Sequence, residues 1–235
     1  MKALLPITIL AAGLLAGGCG VYVPVLPHTP LAQHKGEVEA SAYANLAAGQ
    51  VNVAYSPLNH LVVTSGGSLS LGRGYSWYAR QGEVGLGTYA VSDNGQWFIY
   101  GLGGYGGTAV SKVNNEAHGP KLDYESRYHR YFSQVHGGFQ VPGVVVGLAV
   151  RVTSVDYTRL TLNEAAIVAP SPTLYWEPTG FIRLGNGPVQ MQGTLGISGP
   201  LQSGFPSTSL APRATIMGVG VVIRPHRFGR NTATD

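Results

Sequence analysis

Along most of the chain, apolar and polar residues alternate with a period of two. In "VVVGLAVRVTS", Val144, Val146, Leu148, Val150 and Val152 share one side, and Val145, Gly147, Ala149, Arg151 and Thr153 the other. Val189, Met191, Leu195 and Ile197 likewise oppose Gln190, Gln192, Thr194 and Ser198. Val38, Ala40, Ala42 and Ala44 oppose Glu37, Glu39, Ser41 and Tyr43. This period gives a strand one apolar face and one polar or small face. Helical periodicity is almost absent. Turn residues cut the alternation into about ten predicted strands, near 36–46, 49–56, 60–71, 76–91, 95–112, 126–140, 143–156, 172–185, 188–199 and 212–224.

Two arrangements suit such strands. A soluble sandwich turns its apolar faces inward and covers its outside with charge. A membrane barrel turns them toward lipid and lines its interior with polar and small residues. Composition separates the two: charged residues are only 11% of the 235, against about 25% in ordinary soluble domains, and there are 34 glycines. The net charge of +4 is dispersed, with no basic run, so nucleic acid is not an expected partner.

Link lengths point the same way. The links at 56–60, 92–95, 141–143 and 185–188 are short, whereas those near 113–125, 157–171 and 200–211 are long and all follow odd-numbered strands. With a periplasmic N-terminus, the short turns fall on the periplasmic side and the long loops outside, as in outer-membrane barrels. An even strand number returns the C-terminus to the periplasm. Aromatic residues near strand ends, such as Trp77, Trp97, Tyr131 and Trp176, suit membrane interfaces.

The first residues read as an export signal: Lys2, the apolar stretch "ALLPITILAAGLLA", then Ala16, Gly17 and Gly18 before the only cysteine, Cys19. That order matches a lipoprotein signal, in which Cys19 is acylated and becomes the new N-terminus. Ordinary signal cleavage nearby is the competing reading. Residues 20–35, with Pro24, Pro27 and Pro30, read as an extended tether.

Candidate chemistry is sparse. Glu37, Glu39, Glu83, Arg151, Glu177 and Arg183 are expected on the polar face, where charges buried in a narrow barrel must pair. They are read as a polar network filling the lumen, with a permeation site or an acid/base pair as lesser readings. The seven histidines are scattered: no HxH or HExxH occurs, and His129 and His136 should face opposite sides. No GxSxG occurs, and "GLGGYGG" (101–107) has no following helix, so it is not a phosphate cradle. No metal, cofactor or catalytic residue is expected.

"PHTPLAQHKGEVEAS" (27–41), "IYGLGGYGG" (99–107), "YHRYFSQ" (128–134) and "PSPTLYWEPTGFIRLG" (170–185) resemble, in order, predicted small outer-membrane β-barrel proteins of Bacteroidota. The resemblance implies a signal-bearing, often cysteine-acylated barrel without an assigned activity. Ala32, where an aromatic residue is expected, and 135–138 depart from it.

The sequence thus predicts an all-β fold, a single antiparallel up-and-down transmembrane β-barrel of about ten strands, with eight as the rival count. Residues 1–18 are the signal, 19–35 the acylated cysteine and tether, 36–226 the barrel and 227–235 a polar tail. The expected role is structural or surface-interacting, through the loops, in the outer membrane with both termini periplasmic. Its expected partners are outer-membrane lipid, the barrel-assembly and lipoprotein-sorting machineries, and a protein or surface ligand at the loops. A narrow channel or accessory subunit, a soluble barrel or sandwich binding an apolar ligand, and a lipid-modifying hydrolase remain as alternatives.

Overall fold

The computed structural model describes residues 22–45, 48–71, 77–114, 122–168, 172–201 and 214–228. Its strands are β1 (Val38–Ala44), β2 (Ala48–Leu58), β3 (Leu61–Leu71), β4 (Trp77–Val91), β5 (Trp97–Asn114), β6 (Leu122–Val141), β7 (Val144–Leu162), β8 (Ala165–Ala166), β9 (Thr173–Leu184), β10 (Val189–Pro200) and β11 (Ala214–Ile223). β1 pairs with both β2 and β11, and β6 pairs with β7, so the antiparallel sheet closes on itself. Ten strands form the barrel. β8 is a two-residue return onto β7 through Asn163 and Glu164, both at positive φ as a tight hairpin of this kind requires.

The alternation in sequence sets the facing. Leu148 is 71% exposed, Met191 58% and Val219 61%, whereas Arg151, Gln192 and Glu39 on the opposite faces are buried. The apolar side of the wall therefore faces outward. Tyr55, Trp97 and Phe139 lie low on that surface, and Tyr105, Tyr131 and Trp176 lie higher. Above the second group, β6 and β7 turn polar outside, with Glu125, Arg127, His129, Asp156 and Arg159 exposed. Glycines make room inside: a Cβ on Gly106 would stand 2.8 Å from Nε of Arg130.

The barrel has two unlike ends. At one, the links are 59–60, 92–96, 142–143 and 185–188. At the other they are 45–47, 72–76, 115–121, 163–172 and 201–213. Two of the expected long loops shrink because their strands run on: β5 continues to Asn114, β6 begins at Leu122, and β7 extends to Leu162. The rim is stepped, since β1 has 7 residues while β5, β6 and β7 have 18, 20 and 19. The signal, Cys19 and most of the polar tail lie outside the described residues, as do residues 202–213.

The segment read as an extended tether is extended, and its described residues lie inside the barrel. Tyr22, Val23, Val25, Leu26, His28, Thr29, Leu31 and Ala32 are all buried, Thr29 at 0% exposure. The segment descends from the upper wall at Tyr22 to the short-turn end, where Gly36, at positive φ, donates to Ser56 O and starts β1. Tyr22 thus lies toward the long-link end and Phe228, after β11, at the short-turn end.

If the outward apolar face meets lipid, charge placed on it carries a large penalty. Leu148→Arg, midway up the apolar belt, should lower folding stability in lipid vesicles by about 2–4 kcal/mol, read from urea unfolding; an unchanged midpoint would contradict an outward face made for lipid.

Candidate functional site

Among the described residues, the chemically active groups converge in the interior. Among the described residues the buried charges are Glu37, Glu39, Glu83 and Glu177 against Arg130, Arg151, Arg183 and Arg224. Four carboxylates face four guanidiniums. All six residues expected from sequence lie inside, and the barrel adds Arg130 and Arg224.

Two ion-pair groups are stacked in the lumen. In the upper one, Arg151 makes a forked contact with Glu83, Nη1 to Oε2 at 3.1 Å and Nη2 to Oε1 at 3.2 Å. Arg130 approaches the same carboxylate at 3.2 Å and donates to Gln81 at 2.8 Å. Arg151 Nε donates to Gln134, and its guanidinium lies 4.2 Å from the centre of the Phe132 ring. In the lower group, Arg183 forks onto Glu39 at 2.9 and 3.0 Å and donates through Nε to Gln192. Arg224 lies 3.4 Å from Glu37 and 3.8 Å from Glu39. Forked arginine–carboxylate pairs satisfy several donors at once, which is what charge in a dry interior requires.

Glu177 is held differently, accepting from Tyr22 OH at 2.8 Å, Thr153 at 2.9 Å and Ser198 at 3.0 Å. It sits opposite Arg151 in the β7–β9 register. At the short-turn rim, His226 approaches Glu37 at 3.5 Å. Burial lowers its pKa from the ordinary histidine value, so at neutral pH this contact is not an ion pair.

The polar wall also grips the threaded segment, chiefly by its main chain. Tyr128 OH accepts from Val23 N, and Gln50 both accepts from Leu26 N and donates to Leu26 O. Gln134 donates to His28 O, Arg183 to Thr29 O and Arg224 to Leu31 O, while Tyr100 OH donates to Ala32 O. Glu39 accepts from Leu31 N and Glu37 from Gln33 N. His136 takes the tautomer with Nε2 protonated, donating to Pro30 O at 3.2 Å while Nδ1 accepts from Gln134. The segment's own side chains add bonds from Tyr22 to Glu177 and between Thr29 and Gln192, and Tyr22 stacks on Tyr175 at 4.0 Å.

The same side chains therefore neutralise one another and satisfy a chain that would otherwise bury bare amides and carbonyls. Glu39, Arg183 and Arg224 do both. This arrangement holds a polypeptide in place, and its carboxylates are committed to arginines or hydroxyls. His129 faces outward and His136 inward, and no group of three His, Cys, Asp or Glu among the described residues is placed to hold a metal.

Two residues were missed at the sequence level although a signal existed. Four carboxylates and two arginines leave two buried negative charges uncompensated, which calls for two more cations on the polar face. Arg130 shares the parity of the buried Tyr128 and Phe132, and Arg224 that of Gly220 and Val222.

No family model matches the sequence, and no curated protein matches it. Among solved structures, the translocator domain of autotransporter NalP from Neisseria meningitidis is similar at 13% identity, covering 94% of each chain, with a TM-score of 0.47. The beta domain of the Bordetella autotransporter Brka is similar at 12% identity, covering 80% of this chain and 98% of that one, with a TM-score of 0.42. The fold assignment rests on the closed strand order of this chain.

The same chemical change should cost very differently inside and outside the barrel. Glu39→Gln removes the charge that compensates Arg183 and should lower stability by about 3–5 kcal/mol. Glu125→Gln, at a half-exposed pair with Arg159 of 3.3 Å, should cost under about 1 kcal/mol. Urea midpoints of the two variants in detergent micelles make the comparison, and equal shifts would contradict a paired interior.

Proposed function

We propose that the chain is an outer-membrane β-barrel protein, acylated at Cys19, closed to solutes by its own N-terminal segment, and structural or surface-interacting in role. The observation that carries this reading is the sorting of the wall: a continuous apolar exterior between aromatic groups, and an interior of paired charges wrapped around residues 22–33. So large an exposed apolar surface suits lipid and is excessive for a soluble protein. In this reading the short-turn end faces the periplasm. The polar crest of β5–β7 and the links at 115–121, 163–172 and 201–213 face outward, where they offer a surface to a partner or ligand.

The export signal at 1–18 and the resemblance to small barrels of Bacteroidota agree with this location. The role is not enzymatic: Glu39 and Glu83, the strongest acid/base candidates, are each tied to two arginines. A soluble ligand-binder is disfavoured because the cavity such a protein needs is filled by the threaded chain. A ten-strand barrel is narrow in any case.

The full-length protein should resist carbonate extraction from outer membranes, shift its gel migration on heating, and give no conductance steps in planar bilayers. A variant whose residues 22–33 are replaced by a Gly/Ser spacer of equal length should keep the heat shift and conduct. Carbonate release would contradict the membrane assignment, and a conducting wild type would contradict the plugged state in favour of a channel.

A further inference from the structure

A hollow of about 410 Å³ opens at the short-turn end, within the size range of small-molecule sites. It lies between the links 92–96, 142–143 and 185–188 and the 3-10 turn Pro225–Arg227 that follows β11, and no residue of the threaded segment lines it. The links brace one another. Gly185 N donates to Gly143 O at 2.9 Å, Gln140 N to Gln96 O at 2.8 Å and Arg224 N to Pro188 O at 2.7 Å. Gly143 is at positive φ, and a Cβ there would stand 3.3 Å from Oδ1 of Asn186, so that carboxamide can lie across the turn. The hollow is built by the barrel itself and needs no rearrangement to form.

Its lining is polar and unbalanced in charge. Arg224 and Arg227 line it together with the carboxamides of Gln96, Gln140, Asn186 and Gln190, and no carboxylate does. Arg224 is committed to Glu37, Glu39 and Leu31 O, and Glu37 is shared with His226. Of the two arginines, Arg227 is therefore the one without a carboxylate of its own among the described residues. Burial, and after it the charge of Arg224, lowers the Arg227 pKa from the ordinary arginine value, and an anion alongside would relieve the repulsion. Gln190 Oε1 and Arg224 Nε, on residues that border the hollow, are buried and lack a hydrogen-bond partner. Buried polar atoms of native proteins are normally satisfied, so both call for one.

We propose that this hollow binds an acidic sugar, a ring bearing several hydroxyls and one carboxylate, with the carboxylate on Arg227 and the hydroxyls on the carboxamides of Asn186 and Gln190. One uncommitted cation matches one negative charge. A carboxamide sets a donor beside an acceptor, which suits neighbouring hydroxyls, and a lining without carboxylates offers nothing to a cationic ligand. In the reading given above the site faces the periplasm, but binding does not depend on that orientation.

Calorimetric titration of D-glucuronate and D-galacturonate into the full-length protein in lipid nanodiscs tests the proposal. At least one should bind saturably and at least tenfold more tightly than D-glucose or acetate, each of which lacks one half of the recognised pattern. Arg227→Gln should remove the preference over glucose, and Asn186→Ala should weaken the preference over acetate. Both variants should keep the heat-dependent gel shift of the folded barrel, because neither side chain pairs with the wall. Equal affinity for the uronate and acetate would mean a patch that attracts any anion, and equal affinity for the uronate and glucose would mean that Arg227 is idle. Either result overturns the proposal, as does the absence of saturable binding by both uronates or unchanged uronate affinity in a folded Arg227→Gln variant.

Discussion

Charge buried away from water must find its opposite, and this constraint organises the whole interior. Each carboxylate or guanidinium taken into a narrow barrel loses solvation that only close, well-shaped partners restore. The four glutamates and four arginines of the lumen come from β1, β4, β6, β7, β9 and the ends of β1 and β11, so no two adjacent strands could satisfy them alone. Closure of the sheet brings Glu83 to Arg130 and Arg151, and Glu39 to Arg183 and Arg224. The register that turns these residues inward turns Leu148, Met191 and Val219 outward, so the ionic interior and the apolar exterior follow from one alternation.

The threaded segment is the second consequence. A polar lumen without a filling would leave Gln50, Gln134, His136 and Tyr100 in need of partners, and an extended chain in that space needs the same groups for its amides and carbonyls. Each supplies what the other lacks. Pro24, Pro27 and Pro30 fit this arrangement because they favour an extended backbone and lack an N–H that would need an acceptor. Wall and segment are coupled through Glu39, Arg183 and Arg224, which serve both the ion pairs and the main chain. Loss of charge balance at one of these residues therefore also loosens the hold on the segment.

The strands were legible because period-two alternation is a local signal: β7 and β10 declare their two faces over a dozen residues. Strand ends were less so, since above the aromatic level β6 and β7 become polar outside, and Asp123, Glu125 and Arg159 read as loop. The position of residues 22–33 was not legible. Prolines interrupt any periodicity, and the partners are far away in sequence: His28 meets Gln134 across 106 positions, Thr29 meets Arg183 across 154, and Leu31 meets Arg224 across 193. An extended proline-rich stretch has the same composition whether it floats in water or fills a barrel. The imbalance of the expected charges was the available clue that the interior held more than the alternation had assigned.

The central claim is that residues 22–33 belong to the interior. Amide hydrogen exchange of the peptide covering them, measured by mass spectrometry on the full-length protein in lipid nanodiscs, tests it most directly. The account predicts protection comparable to that of the barrel strands, because the amides of Val23, Leu26 and Leu31 are bonded to buried side chains. Exchange at the rate of an unstructured chain would place the segment outside and contradict the account.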